Sequence, residues 1–296
     1  MRVLFTLFLM VFTLGIEYAI NQAYTDYLKA HVTWEVTDYE ENIFRAWTVD
    51  ELKELLMPVE MLDMEIPSVP YLITDDSELK ETDWSKDAGS CIHEVRNQAS
   101  PTPCAAGWAF AVAGLVSDRC CMKGNDHGWL SPQQLISCDI FNRGCEGSVT
   151  FAVDYVVRNG LVHEACFPYV AKSGACPYKC KDGEYWFASH VCKCWTKVPC
   201  HGITAMAKCL ESGPIAATFY VYPDFLYYKS GIYHWNKQGK SVGRHVVRCH
   251  GYGTFPEKHW KCINSWGTDW GMKGYFNIAI GECEIDTQWS GYCDPV

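Results

Sequence analysis

Seventeen cysteines in 296 residues constrain this chain more than any other feature of its sequence. A reducing cytosol keeps thiols unpaired, so a chain this rich in sulfur suits an oxidising compartment, where most of them would join into bridges. The count is odd, so at least one thiol stays free or bonds to another chain. The N-terminus agrees with that compartment. Arg2 precedes an almost wholly apolar run at 3–15, with small Thr13 and Gly15 near its end, which reads as an export signal over residues 1–15. The run is shorter than the roughly 20 residues a spanning helix needs, so no membrane anchor is expected after signal removal. The expected location is the secretory pathway, ending outside the cell or in a lysosome- or vacuole-like compartment.

Charge divides the remainder. Residues 16–83 carry 17 acidic against 4 basic side chains, whereas residues 84–296 carry 18 against 20. A near-neutral body behind an acidic leader offers no basic footprint for nucleic acid. In the leader, Leu52, Leu55 and Leu56 repeat at helical spacing behind Asp50 and Glu51, predicting a short amphipathic helix ended by Pro58. Pro67 and Pro70 mark an extended linker to about residue 83. In the body, Trp108, Ala111, Val112 and Leu115 share one helical face, predicting a helix over 107–121. Ser131-Pro132-Gln133-Gln134 caps and opens another, and a third runs from about 149 to Asn159-Gly160. From 214 onward the pattern becomes strand-like, at 215–222, 245–252, 260–266 and 275–280. Helices first and strands afterwards predict an α+β fold of two lobes: a helical one at about 91–185 and a β-rich one at about 186–296.

Four motifs carry chemistry. Asn264-Ser265-Trp266-Gly267, Arg244-His245-Val246-Val247 closing in Gly251-Tyr252-Gly253, Gly144-Cys145-Glu146-Gly147, and Tyr228-Lys229-Ser230-Gly231 stand in an order that resembles the papain family of cysteine peptidases, and within it the cathepsin B-like group. The resemblance spans roughly 84–296 and implies the papain-like two-lobed fold, with a β-barrel-like second lobe. It also implies a base at His245, an orienter for its ring at Asn264, and Trp266 covering that pair. Such a site works through a thiolate at a helix start, which an imidazolium stabilises. Gly147, Ser148 and Gln288 are implied to line the substrate cleft.

At the nucleophile the chain departs from the family. Where the family reads Gln-Gly-x-Cys-Gly-Ser-Cys-Trp-Ala-Phe, this chain reads Gln98-Ala99-Ser100-Pro101-Thr102-Pro103-Cys104-Ala105-Ala106-Gly107-Trp108-Ala109-Phe110. Anchored on Trp-Ala-Phe, Gly107 holds the nucleophile's place, and Gln98 is the implied donor to the oxyanion. The spacing from Gln98 to Cys104 instead suits Cys104 as a displaced nucleophile. That alternative adds three residues at the head of the helix, a shift of about 4.5 Å where about 1 Å already matters.

The resemblance also implies the bridges Cys91 to Cys121, Cys104 to Cys145, Cys138 to Cys176, and Cys166 to Cys180. It leaves the partners of the other nine cysteines open. Cys192, Cys194, Cys200 and His201 could hold zinc, but disulfides are the better expectation, so neither metal nor cofactor is expected. Arg244, in place of a Gly, either crowds the cleft or lies solvated at the surface, and His250 is expected to pack in the core. The acidic leader resembles the family's prosegment, with Trp34 as its anchor. The expected function is that of a peptidase homologue without catalysis that keeps a cleft for peptides, protein inhibitors or its own prosegment. The alternative is an endopeptidase using Cys104, His245 and Asn264.

Overall fold

The computed structural model describes residues 17–60, 79–142, 144–185 and 192–296. The proposed signal and most of the proposed linker lie outside them.

Two apolar cores organise the chain, as two lobes require. In the first, helices α4 (Gly107–Met122), α5 (Pro132–Cys138) and α6 (Val149–Asn159) bury Trp108, Val112, Leu135, Val153 and Val156 against one another. Local chemistry sets these helices. Ser131 accepts from the Gln134 N–H ahead of Pro132, Ser148 caps α6, and Gly160 leaves α6 at φ 72°, where a side chain would be strained. α4 is buried along nearly its whole length, so its pattern is apolar on every face.

The second core lies within an eight-stranded sheet. Along it run β3 (Cys194–Pro199), β10 (Ser290–Pro295), β4 (Ile215–Val221), β7 (Gly243–Gly253), β8 (His259–Ile263), β9 (Tyr275–Ala279) and β6 (Ile232–Tyr233), with β2 (Thr82–Asp83) also paired to β7. Among the described residues, β3 and β6 end the path of this sheet. β2 falls at the end of the span expected to be linker. β7 is buried at every residue, because α4 covers one face and the second core the other. Asp118 of α4 accepts both 2.8 Å bonds from the Arg248 guanidinium of β7, and the backbone and ring of His93 share the same carboxylate. That fully hydrogen-bonded buried pair fixes the helix to the strand. The short helix α7 (Ile203–Leu210) packs beside the sheet.

The leader is part of the second core. Helix α1 (Gln22–His31) is capped by Asn21, and α2 (Val49–Leu55) starts from a reciprocal capping box between Thr48 and Glu51. Ile20, Leu28, Trp34, Val36, Phe44, Leu52, Leu55 and Leu56 are buried with Phe219, Phe225, Tyr228, Trp266 and Phe276 of the body. The two-residue strand β1 (Glu35–Val36) pairs with β5 (Tyr228–Ser230).

Sixteen cysteines form eight bridges. Cys91–Cys121, Cys104–Cys145, Cys138–Cys176 and Cys166–Cys180 are joined by Cys120–Cys192, Cys194–Cys293, Cys200–Cys209 and Cys249–Cys262. Cys283 is the free, buried thiol. The sulfurs considered for zinc, Cys192, Cys194 and Cys200, are therefore all spent in disulfides.

Candidate active site

The two cores meet where the first residue of α4, Gly107, lies against His245 of β7. Asn264 follows β8, the neighbour of β7, and so reaches the same ring: His245 Nε2 and Asn264 Oδ1 are 2.8 Å apart. Asn264 Oδ1 also accepts from the Ser265 N–H at 2.8 Å, which identifies it as the acceptor and His245 Nε2 as the donor. Nδ1 then faces α4. Trp266 stacks on the ring, with centroids 5.1 Å apart, and Phe219 closes its edge. His245 is 1% exposed. Burial pushes its pKa down to about 4, against the opposing pull of the Asn264 hydrogen bond. At neutral pH the ring is thus a neutral imidazole.

Gly107 presents no side chain to it. A β-carbon placed on Gly107 would collide with the His245 ring, its distance to Nδ1 being only 2.5 Å, and would sit 3.2 Å from Gln98 Oε1. The imidazole therefore packs directly onto the helix start. Gln98 is held as firmly: Nε2 donates to Leu55 O at 2.9 Å and Cys104 O at 2.8 Å, and Oε1 accepts from Ser265 Oγ at 2.6 Å.

Cys104 is not available as a displaced nucleophile in this structure, because its sulfur is bonded to Cys145. A sulfur in a bridge has no thiolate to offer, which corrects the displaced-nucleophile alternative. The surface alternative for Arg244 also fails, since the residue is 3% exposed. Its guanidinium lies over the Tyr220 ring and donates to Gln288 Oε1 at 3.0 Å. Gly147 rests on the Trp108 indole, with no room for a side chain, and the indole N–H donates to Cys145 O. Ser148 is occupied as the α6 cap. His250 is buried, with its ring edge-on to Tyr275 and 3.5 Å from Asp83.

The leader crosses this site. Met57 N donates to Arg244 O at 3.0 Å and Arg244 N donates to Met57 O at 2.8 Å, an antiparallel bridge one residue from His245. Leu55 O takes the Gln98 amide, Leu56 lies against Gly243, and Phe44 packs edge-on to Trp266. Trp34 sits among Tyr228 and Tyr233, its indole N–H donating to His234 O at 2.9 Å. Sequence reasoning named Trp34 but missed Leu55 and Met57. Their contacts are made by the backbone, which any residue supplies, and Pro58 alone hinted that the chain straightens there.

Comparison with known proteins agrees with this geometry. Residues 79–292 match the family described as papain family cysteine protease. The chain is 36% identical over 263 residues to cathepsin B-like CP3 of Giardia intestinalis, covering 84% of this chain and 86% of that one. It is 28% identical over 317 residues to cathepsin B of Dictyostelium discoideum, covering 96% and 97%. Among solved structures, procathepsin B S9 from Trypanosoma congolense superposes with a TM-score of 0.79 at 26% identity, over 94% of this chain and 99% of that one.

Proposed function

The chain belongs to the papain family of cysteine proteases, and on that premise we propose that it is a non-catalytic, cathepsin B-like member whose cleft binds an extended peptide chain. The observation that carries the reading is Gly107: the nucleophile's place has no side chain, and a neutral imidazole fills the space one would occupy. Hydrolysis by this family's route needs a sulfur that attacks and a base that takes its proton. His245, Asn264 and Gln98 remain as base, orienter and oxyanion donor with nothing to activate. The peptide reading is supported by the leader, whose extended backbone pairs with Arg244. In the same reading residues 1–15 direct export, 16–83 form the leader and 84–296 the body, and the protein acts outside the cell or in a lysosome-like compartment.

The test is an assay of the purified full-length chain in acid, with a dipeptidyl fluorogenic substrate and a thiol-directed covalent probe. Neither turnover nor labelling is expected. Turnover together with a labelled cysteine, both lost in His245→Ala, overturns the proposal.

A further inference from the structure

We propose that a pocket on the helical lobe docks a protein segment in which an apolar side chain is flanked by carboxylates. The pocket encloses about 480 Å³ between the loop that follows α5, the last turns of α6 and the loop around Cys176. Its walls are Ile140, Phe141, Tyr155, Arg158, Pro177 and Tyr178. None of these takes part in the candidate active site, so the proposal stands whether or not the cleft binds a peptide.

Three of these side chains lie open to solvent: Ile140 is 88% exposed, Tyr178 83% and Phe141 55%. One exposed apolar residue needs no explanation, whereas several grouped around one hollow mark an interaction site. The hollow is also preformed. Cys138–Cys176 joins the two loops that wall it, and both sulfur-bearing residues line it. Phe141 stacks on Phe151 of α6 with centroids 5.7 Å apart, and Tyr155 Oη accepts from Gln134 Nε2 at 3.2 Å. Little ordering of the pocket then accompanies binding, which favours affinity.

Charge selects the occupant. Among the described residues, Arg158 is the one charged side chain lining the pocket, its guanidinium 5.7 Å from the Phe141 ring centre. The neighbouring stretch 170–181 carries Lys172, Lys179 and Lys181, all exposed, and no acidic residue. The next acids, Asp182 and Glu184, line a separate hollow. Asp139 is within electrostatic reach of Arg158, but it is buried, and its oxygens accept from the Phe141 N–H and the Asn142 amide. A carboxylate beside an inserted apolar side chain would meet the guanidinium with two parallel bonds, and Tyr, Phe and Arg are the residue types enriched where proteins meet. A sulfated polysaccharide would satisfy the cations but has no apolar group to fill the pocket.

The test uses the full-length chain and short fluorescein-labelled peptides in a glycine-serine frame: one carrying Asp-Glu-Phe-Glu-Asp, one with alanine in place of the phenylalanine, and one with lysine in place of every acid. Binding is followed by anisotropy at low and moderate salt. The first peptide should bind about tenfold more tightly than either of the others. Ile140→Ser and Tyr178→Ser alter side chains so exposed that the fold does not depend on them, and each should weaken the first peptide at least about threefold. Arg158→Gln should bring the acidic and lysine peptides to within about threefold of each other, and Arg158→Lys should keep part of the preference. Equal binding of the three peptides, binding of none, or binding that all of these variants leave unchanged overturns the proposal. So does retention on heparin, lost in Arg158→Gln, without any preference among the peptides. A concentration-dependent dimer in sedimentation that Tyr178→Ser abolishes would assign the patch to a second copy and overturn it as well.

Discussion

Gly107→Ala would push a methyl group into the His245 ring, and overpacking of this kind costs about 1–3 kcal/mol. Alanine is favoured over glycine in a helix by about 1 kcal/mol, but steric strain should win, so urea unfolding is expected to show a lower midpoint. An unchanged or higher midpoint would mean that the imidazole swings aside at little cost. Two buried groups on this side of the molecule should pull stability in opposite directions with pH. His245 has its pKa pushed down to about 4 by burial, so the unfolded chain takes up the proton first, and stability is lost as pH falls from about 6.5 to 4. Asp224, buried beneath Tyr233 and the Asn236 amide, has its pKa raised to about 6 by desolvation. There the folded chain holds the proton, and stability is lost as pH rises from about 4 to 6. The two should nearly cancel. His245→Phe is expected to leave a protein that gains stability toward acid, and Asp224→Asn one that loses it; parallel slopes in both variants would contradict the assignment. The meeting of His245, Asn264 and Gln98 at one place could be expected from the sequence because side-chain identity marks the motifs in which they stand. The burial of Arg244 could not, since a charged residue next to a glycine-rich strand reads equally well as surface.

Among the elements, those with a strong local signal were legible: α4 from its apolar helical pattern, α5 from Ser131-Pro132, and the end of α6 from Asn159-Gly160. Strands β3 and β10 escaped notice because Gly291 and Pro295 interrupt one and exposed Trp195 and Thr196 occupy the other, so neither alternates cleanly. Their pairing is a tertiary matter, fastened by Cys194–Cys293. The leader is the element whose attachment is most open to test. Trp34→Ala removes a buried indole and its bond to His234 O, a loss of about 3–5 kcal/mol by the usual cost of such truncations. Hydrogen exchange should show α1 and α2 losing protection while β7 and β8 keep theirs. Equal loss throughout would mean that leader and body unfold only together. Thr48→Ala, which breaks the capping box, should cost about 1 kcal/mol and affect α2 alone.

For the whole molecule, the pairing of sixteen cysteines leaves a single thiol to count. Cys283 is buried, and desolvation, with Asp224 and Glu282 nearby, raises its pKa well above the ordinary thiol range. A thiol reagent should therefore find no reactive group in the native chain and one per chain in denaturant; a native thiol, or more than one after unfolding, would contradict the bridges described above. The overall architecture could be inferred from motif order, but the union of leader and body in one core could not, because it depends on residues such as Trp34 and His234, 200 positions apart. That union has a practical result for anyone purifying the protein. A chain nicked between residues 60 and 79 would still elute as one particle and separate only on a denaturing gel, so a band of body size would report a broken peptide bond and say nothing about whether the cleft is vacant.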